Sequence, residues 1–369
     1  MGLLRKLMHA RVDQGHLDAI ERGLSGNVTT EMNLEIGDLS DVARGEPKVM
    51  DWLKNGRDLS MDGLYNLYSE DTVNFRASLH EFLDRYGSRA NSEIDISRPR
   101  WRDDPSPLFQ VIRGNLTNDE EGHHRTHHQK LMKDGLEAAN HIIMCAPWYK
   151  RFLVRRLIRT ARALMALREH HKFLFIRVLD EVRRAVQDIS SILLQNGCLE
   201  TEEDIWYLTI YEVAESLNWS KEMVQSVVLH QRGLHEIYSK FKPPVVLTSE
   251  GECVNVHPNS DYVPPGALPG LGVSSGVAEG IAKVVKDPTS VVLHSGEILV
   301  AQCTDPGWTP LFINASAVVM EVGGYLTHGS VVSREYNLPA VACVANATSI
   351  IKTGMTLRVD GTRGFVEII

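Results

Sequence analysis

The sequence predicts an α plus α/β chain, a multi-helix half followed by a small β/α half. Three observations lead there. Apolar residues recur at steps of three and four as far as about residue 241. A proline-rich stretch follows, and after Gly270 short apolar runs alternate with turn residues. The expected organisation is a helical part over 1–241, a linker over 242–268 and a β/α part over 269–369.

Helices are expected at about 4–23, 30–43, 60–85, 116–141, 149–196, 202–216 and 220–240. The stretch 149–196 is the clearest. Val182, Val186, Ile189 and Leu193 form one apolar stripe, with Arg183, Arg184 and Asp188 elsewhere on the surface. Asn196-Gly197 should end it, because Gly accepts the left-handed conformation that follows a last helical turn. Gly87 to Pro107, rich in charge and proline, reads as a loop. Pro243-Pro244 and Pro264-Pro265-Gly266 mark the linker, of the semi-rigid kind that lets one domain carry something between distant sites. Strands are expected at Ile281–Val285, Ile298–Ala301, Ala317–Met320, Ala340–Val344 and Thr356–Val359.

Hydrophobic residues make up 43% of the chain and charged ones 23%, an ordinary globular composition. The net charge of -8 argues against nucleic acid or an anionic membrane as general partner. There is no run of about 18 apolar residues to span a membrane. Five cysteines, odd in number and without a C-x-x-C pair, fit a reduced cytoplasmic chain.

One segment carries chemistry. Ala317-Val318-Val319-Met320 is a buried-strand run, Gly323-Gly324 turns the chain, and Thr327 is suited to cap a helix running from His328 to about Tyr336. His328 then sits in a first helical turn, beside unpaired backbone N–H groups and the positive end of the dipole. A phosphate fits that environment, and the same dipole favours an uncharged, nucleophilic ring. A ring nitrogen can attack phosphorus, hold the phosphoryl group and release it to an acceptor. Thr327, Gly329 and Ser330 would supply donors to its oxygens. The plainer alternative is a histidine that merely packs at a helix start.

The segment Gly323 to Val341, GGYLTHGSVVSREYNLPAV, resembles the phosphohistidine signature of the swivelling domain in phosphoenolpyruvate-utilising enzymes. Thr304-Asp305-Pro306-Gly307-Trp308-Thr309-Pro310 is similar to the upstream loop of that domain, and Gly272-Val273-Ser274-Ser275-Gly276 to its opening turn. Within the family the resemblance is closer to the rifampin-phosphotransferase-like branch than to phosphoenolpyruvate synthase. Arg22 to Met32, Arg89 to Trp101 and Leu167 to Phe173 look like the substrate-binding domain of that branch. The resemblance implies a phosphotransferase, or part of one, acting on a small-molecule hydroxyl acceptor. It implies no cofactor on this chain, with ATP and Mg expected on a nucleotide-binding domain supplied elsewhere or in trans. A non-catalytic binding protein, or a synthase-like activity within a larger assembly, are the alternatives.

Arg168 and Lys172, four apart on an expected helix, would project together as a clamp for the phosphoryl charge; a solvated basic face is the alternative. Arg89, Glu93, Asp95, Arg98 and Arg100 would orient the acceptor, or else pin their loop by ion pairs. His123, His124, His127 and His128 do not converge on one ion, so no metal site is expected. Gly272 to Gly276 also spells G-x-S-x-G, but prolines precede it and a strand follows it, against the strand–elbow–helix order of a serine hydrolase.

Overall fold

The computed structural model describes residues 8, 12, 14–67, 69–118, 121–241, 247–252, 263–288 and 291–369. By contact the chain forms two units. The larger comprises residues 1–92, 100–173 and 256–369; the smaller comprises 93–99 and 174–255.

In the larger unit, α1 (Gln14–Ala19) leads to α2 (Val28–Gly45). The side chain of Asn27 starts α2 by accepting from the Thr29 N–H at 3.0 Å, a standard helix cap. Val28, Met32, Ile36, Leu39 and Ala43 give α2 one buried stripe. It packs with α3 (Pro47–Asn55), α5 (Val73–Tyr86) and α6 (Ser106–Asn118) around Trp52, Phe75, Phe82 and Phe109; α4 (Met61–Tyr65) lies between α3 and α5. Glu46 joins two of these helices: Pro47 opens α3 after it, while its carboxylate accepts from the Asn74 and Phe75 N–H groups of α5. A second cluster gathers Leu17 and Ile20 against Ile142 and Ile143 of α7 (His123–Cys145) and Val154 and Ile158 of α8 (Arg151–Leu167).

The smaller unit holds most of α9 (His170–Gln195), a 3-10 turn (Glu202–Tyr207), α10 (Ile210–Ser216) and α11 (Lys221–Tyr238). Val186, Leu193, Ile205, Val213 and Val224 form its core. Gly197 ends α9 at φ +67, as its position predicts. Thr201 with Asp204, and Thr209 with Glu212, form reciprocal capping boxes that split the helix expected over 202–216.

Four other expectations differ from the structure. The helix expected over 149–196 breaks at Arg168 and Glu169, where the last turn of α8 tightens to a bond from the Arg168 N–H to the Met165 carbonyl. Both residues are good helix formers, so propensity gives no warning. The helix expected over 116–141 is two, parted by Gly122 at φ +73; that over 60–85 is likewise two, with a 3-10 turn between. Arg183, expected on the surface, is buried: its guanidinium donates to the Ile96 carbonyl and lies over the Trp206 ring. Much of the helix expected at 4–23 and of the linker at 242–268 falls outside the described residues.

The C-terminal part of the larger unit is one mixed sheet, ordered β1-β8-β7-β3-β4-β5-β6-β2. Its strands are β1 (Leu268–Pro269), β2 (Leu271–Ser274), β3 (Val277–Val285), β4 (Ile298–Ala301), β5 (Ala317–Met320), β6 (Ala340–Ala342), β7 (Thr356–Asp360) and β8 (Phe365–Ile368). The first half of β3 pairs antiparallel with β7 and its second half parallel with β4. Strands β4, β5 and β6 are parallel and wholly buried, which is why they read as unbroken apolar runs. Leu299, Ala301, Val318 and Met320 face one way, onto Trp308, Phe312 and Val332; Ile298, Val300, Ala317 and Val319 face the other, onto Ala347, Ile351 and Leu357. The short helices are α12 (Thr309–Phe312), α13 (His328–Glu335) and α14 (Ala347–Ile350). No described helix is long and apolar enough to cross a membrane.

Candidate active site

The loops leaving β4 and β5 emerge side by side, because the two strands are parallel neighbours in register from Ile298 and Ala317 onward. That register brings together residues from separate loops. After β4, the Asp305 side chain accepts from the Gly307 N–H at 2.9 Å and starts a 3-10 turn that delivers Thr309. After β5, the Gly323-Gly324 turn delivers Thr327 and then His328, the first residue of α13. The Thr309 hydroxyl lies 2.9 Å from Nε2 of His328.

Nδ1 of His328 meets the Glu169 carboxylate at 3.1 Å. The ring is 10% exposed and Glu169 is 6% exposed. Burial pushes the Glu169 pKa up, but the bond and charge of His328, with the cations Arg168 and Arg89, overcome it and hold the carboxyl at about 2. Glu169 is therefore ionised and can only accept, which fixes a proton on Nδ1 and assigns the reactive lone pair to Nε2. The Thr309 hydroxyl has one proton and two places for it. On the Pro306 carbonyl, 2.8 Å away, it leaves the oxygen to accept from a protonated ring; turned to Nε2, it hydrogen-bonds the neutral ring's lone pair.

The helix terminus differs in detail from the sequence expectation. Thr327 stands at the N-cap with extended backbone, yet its hydroxyl makes no cap bond. It donates instead to the Gly324 carbonyl and lies 3.0 Å from the Ser330 hydroxyl, so Thr327 and Ser330 stiffen the turn that carries His328. Gly329 permits close packing there: a Cβ on it would lie 2.2 Å from the Thr304 hydroxyl and 2.7 Å from Met320 Sδ.

Arg168 and Glu169 owe their placement to the break between α8 and α9. Arg168 pairs with Glu169 at 2.6 Å and also donates to the Leu326 carbonyl, two residues before His328. Lys172 follows in the first turn of α9, half-buried and on a different helix from Arg168. Arg89 and Arg100 lie in the expected loop and are fully buried; the Arg89 guanidinium lies over the Phe173 ring and contributes positive charge to Glu169. Glu93, also buried, and Asp95, which pairs with Arg98 at 3.5 Å, belong to the smaller unit. The helical face expected to hold both cations is thus replaced by a turn that presents Arg168 and Glu169 together.

Nothing in the local sequence marks Glu169 or Thr309 as a partner of the histidine. A Glu directly after an Arg reads as a local pair, and nothing local marks it as buried. The histidines of α7 serve structure: His124 meets Asp38 at 3.0 Å, and the His123 and His127 rings stack. Among the described residues no group of three or more His, Cys, Asp or Glu is arranged to hold a metal ion. Helix α8 has a second feature of interest. Leu153, Leu164 and Leu167 are exposed along one face, joined by Trp148, Tyr149 and Phe152 near its start. This apolar stripe ends at Arg168.

A buried, carboxylate-oriented histidine at a strand–turn–helix corner defines a class, and the comparisons give it a name. Residues 293–364 match the family described as PEP-utilising enzyme, mobile domain, and residues 1–169 match the rifampicin phosphotransferase fourth domain. Rifampicin phosphotransferase of Bacillus cereus is 34% identical over 358 residues, covering 95% of this chain and 41% of the relative. That of Streptomyces sviceus is 36% identical with the same coverage. The prodigiosin synthesizing transferase PigC of Serratia marcescens is 26% identical over 362 residues, 96% of this chain and 40% of the relative. The chain therefore carries a rifampicin phosphotransferase fourth domain and a mobile domain of the PEP-utilising enzymes. It spans about 41% of the length of the rifampicin phosphotransferases it matches.

Proposed function

We propose that this chain is the relay and acceptor portion of a phosphotransferase, passing a phosphoryl group from Nε2 of His328 to a hydroxyl of a bulky, largely apolar small molecule. The observation that carries the reading is the paired engagement of the ring: Glu169 fixes the proton on Nδ1, and the hydroxyl of Thr309 marks where the phosphoryl group would sit on Nε2. As the acceptor oxygen attacks phosphorus, the P–Nε2 electron pair returns to the ring. A neutral imidazole is left, and the hydroxyl proton passes to water. Glu169 stabilises the charged phosphorylated ring, Arg168 and Lys172 offset developing negative charge, and the amides of Gly329 and Ser330 face the phosphoryl oxygens. The stripe Leu153–Leu164–Leu167 leads an apolar acceptor to Arg168. A rifamycin is the acceptor the relatives' names suggest. ATP and Mg belong, in this reading, to a nucleotide-binding domain elsewhere, and the setting is cytoplasmic.

The test mixes the chain with ATP and the nucleotide-binding domain of a rifampicin phosphotransferase. An acid-labile, base-stable label should appear on His328, be absent from His328→Ala, and pass to rifampicin or another polyphenolic acceptor. Failure to label His328 with any donor leaves a binding protein as the surviving reading.

A further inference from the structure

The far end of α13 holds three consecutive side chains that all reach the helical part of the larger unit. Arg334 Nε donates to Glu21 at 2.6 Å, with both side chains almost fully buried. The same guanidinium donates to the Val273 carbonyl and lies 4.1 Å from the centre of the Tyr325 ring, in the loop that precedes His328. The two carboxylate oxygens of Glu335 accept from Asn27 Nδ2 at 2.7 Å and Thr30 Oγ1 at 2.6 Å. Asn33 Nδ2 donates to the Tyr336 hydroxyl at 3.0 Å.

His328 and Glu335 are seven residues apart, two helical turns, so they share one face of α13 about 10 Å apart along the axis. The helix is thereby held at both ends by the helical part: Glu169 at the histidine, Asn27 and Thr30 at the other. Buried charges make such a contact selective rather than simply strong. A buried ion whose partner is removed keeps its desolvation cost, and separating the two surfaces returns it to water. Loss of either partner therefore shifts the balance toward separation.

Resting on the reading of His328 as a phosphoryl carrier, we propose that Glu21, Arg334, Glu335 and Thr30 are positioning residues that lock the histidine-bearing part in its acceptor-facing pose. They touch no reacting atom. They set how much of the time His328 lies against Glu169, and so govern transfer without governing charging of the histidine.

The experiment uses the whole chain and two variants, Glu21→Gln and the near-isosteric Thr30→Val, with far-ultraviolet circular dichroism confirming the fold. Acylation of His328 by diethylpyrocarbonate, resolved by peptide mass spectrometry with exposed His171 as reference, reads docking without any phosphoryl chemistry. Each variant should raise His328 acylation several-fold relative to His171. In the phosphoryl assay, transfer at saturating acceptor should fall about tenfold with KM unchanged, while the rate of charging does not fall. Unchanged acylation in the folded variants overturns the proposal, and Thr30→Val decides alone if Glu21→Gln does not fold. Raised acylation in a chain that no donor ever phosphorylates would retain the lock and remove the carrier reading; a labelled chain with unchanged acylation would do the reverse.

Discussion

The group that orients His328 lies 159 residues away in sequence, and its ionisation is the property the site depends on. Glu169→Gln keeps the size but offers a neutral amide that no longer fixes the proton on Nδ1. Phosphoryl transfer through His328 should fall by about 10²-fold, measured as single-turnover decay of the label, with little change in acceptor KM. Thr309→Val should cost about tenfold or less, the worth of one neutral hydrogen bond. Because Glu169 is depressed to about 2 from 4.5, its contribution to stability is present above 4.5 and is lost as pH falls toward 2. The gap in thermal midpoint between the chain and Glu169→Gln should therefore be full at neutral pH and shrink below 4.5.

Helix α13 is a short element with His328 at one end and contacts to the helical part at the other, and its first turn packs without spare volume. Gly329→Ala would place a methyl group against the Thr304 hydroxyl and the thioether of Met320, both of which must shift to admit it. It should destabilise the chain by about 1–3 kcal/mol, read by denaturant unfolding, and lower transfer more than a stability loss of that size explains. The strands beneath were legible in the sequence. Ile298–Ala301 and Ala317–Met320 begin and end where unbroken apolar runs do, since a strand buried on both faces has no polar positions. The break between α8 and α9 was not legible, because Arg168 and Glu169, the residues at which it falls, are both good helix formers.

Across the larger unit, α13 carries into its contact with the helical part a carboxyl, Glu335, whose protonation bears on that contact. Burial pushes Glu335 up to about 7, against the opposing bonds of Thr30, Asn27 and the Leu24 N–H, with the charge of Glu169 adding to the rise. A carboxyl raised in this way favours the packed state while protonated. Its contribution is whole below 4.5 and is lost as pH climbs through 7. Acylation of His328, corrected for the intrinsic reactivity of His171, should rise between pH 5 and pH 8 in the native chain. Glu335→Gln, neutral throughout, should flatten that rise; an equally steep rise in the variant would assign it to another group.

By itself the sequence determined the fold class, the buried strands, the corner that carries His328 and the family resemblance. Each of these is written in local pattern: apolar runs, a Gly-Gly turn, a capping residue and a short motif. Tertiary structure alone decided which nitrogen of His328 holds the proton, because Glu169 and Thr309 reach it from other segments. It also decided that Arg89, Arg100 and Glu93 are buried rather than displayed on a loop. The division follows from range. Backbone preferences and hydrophobic period act over a few residues, whereas a charge's partner and its burial are set by chain segments that meet only when the protein folds.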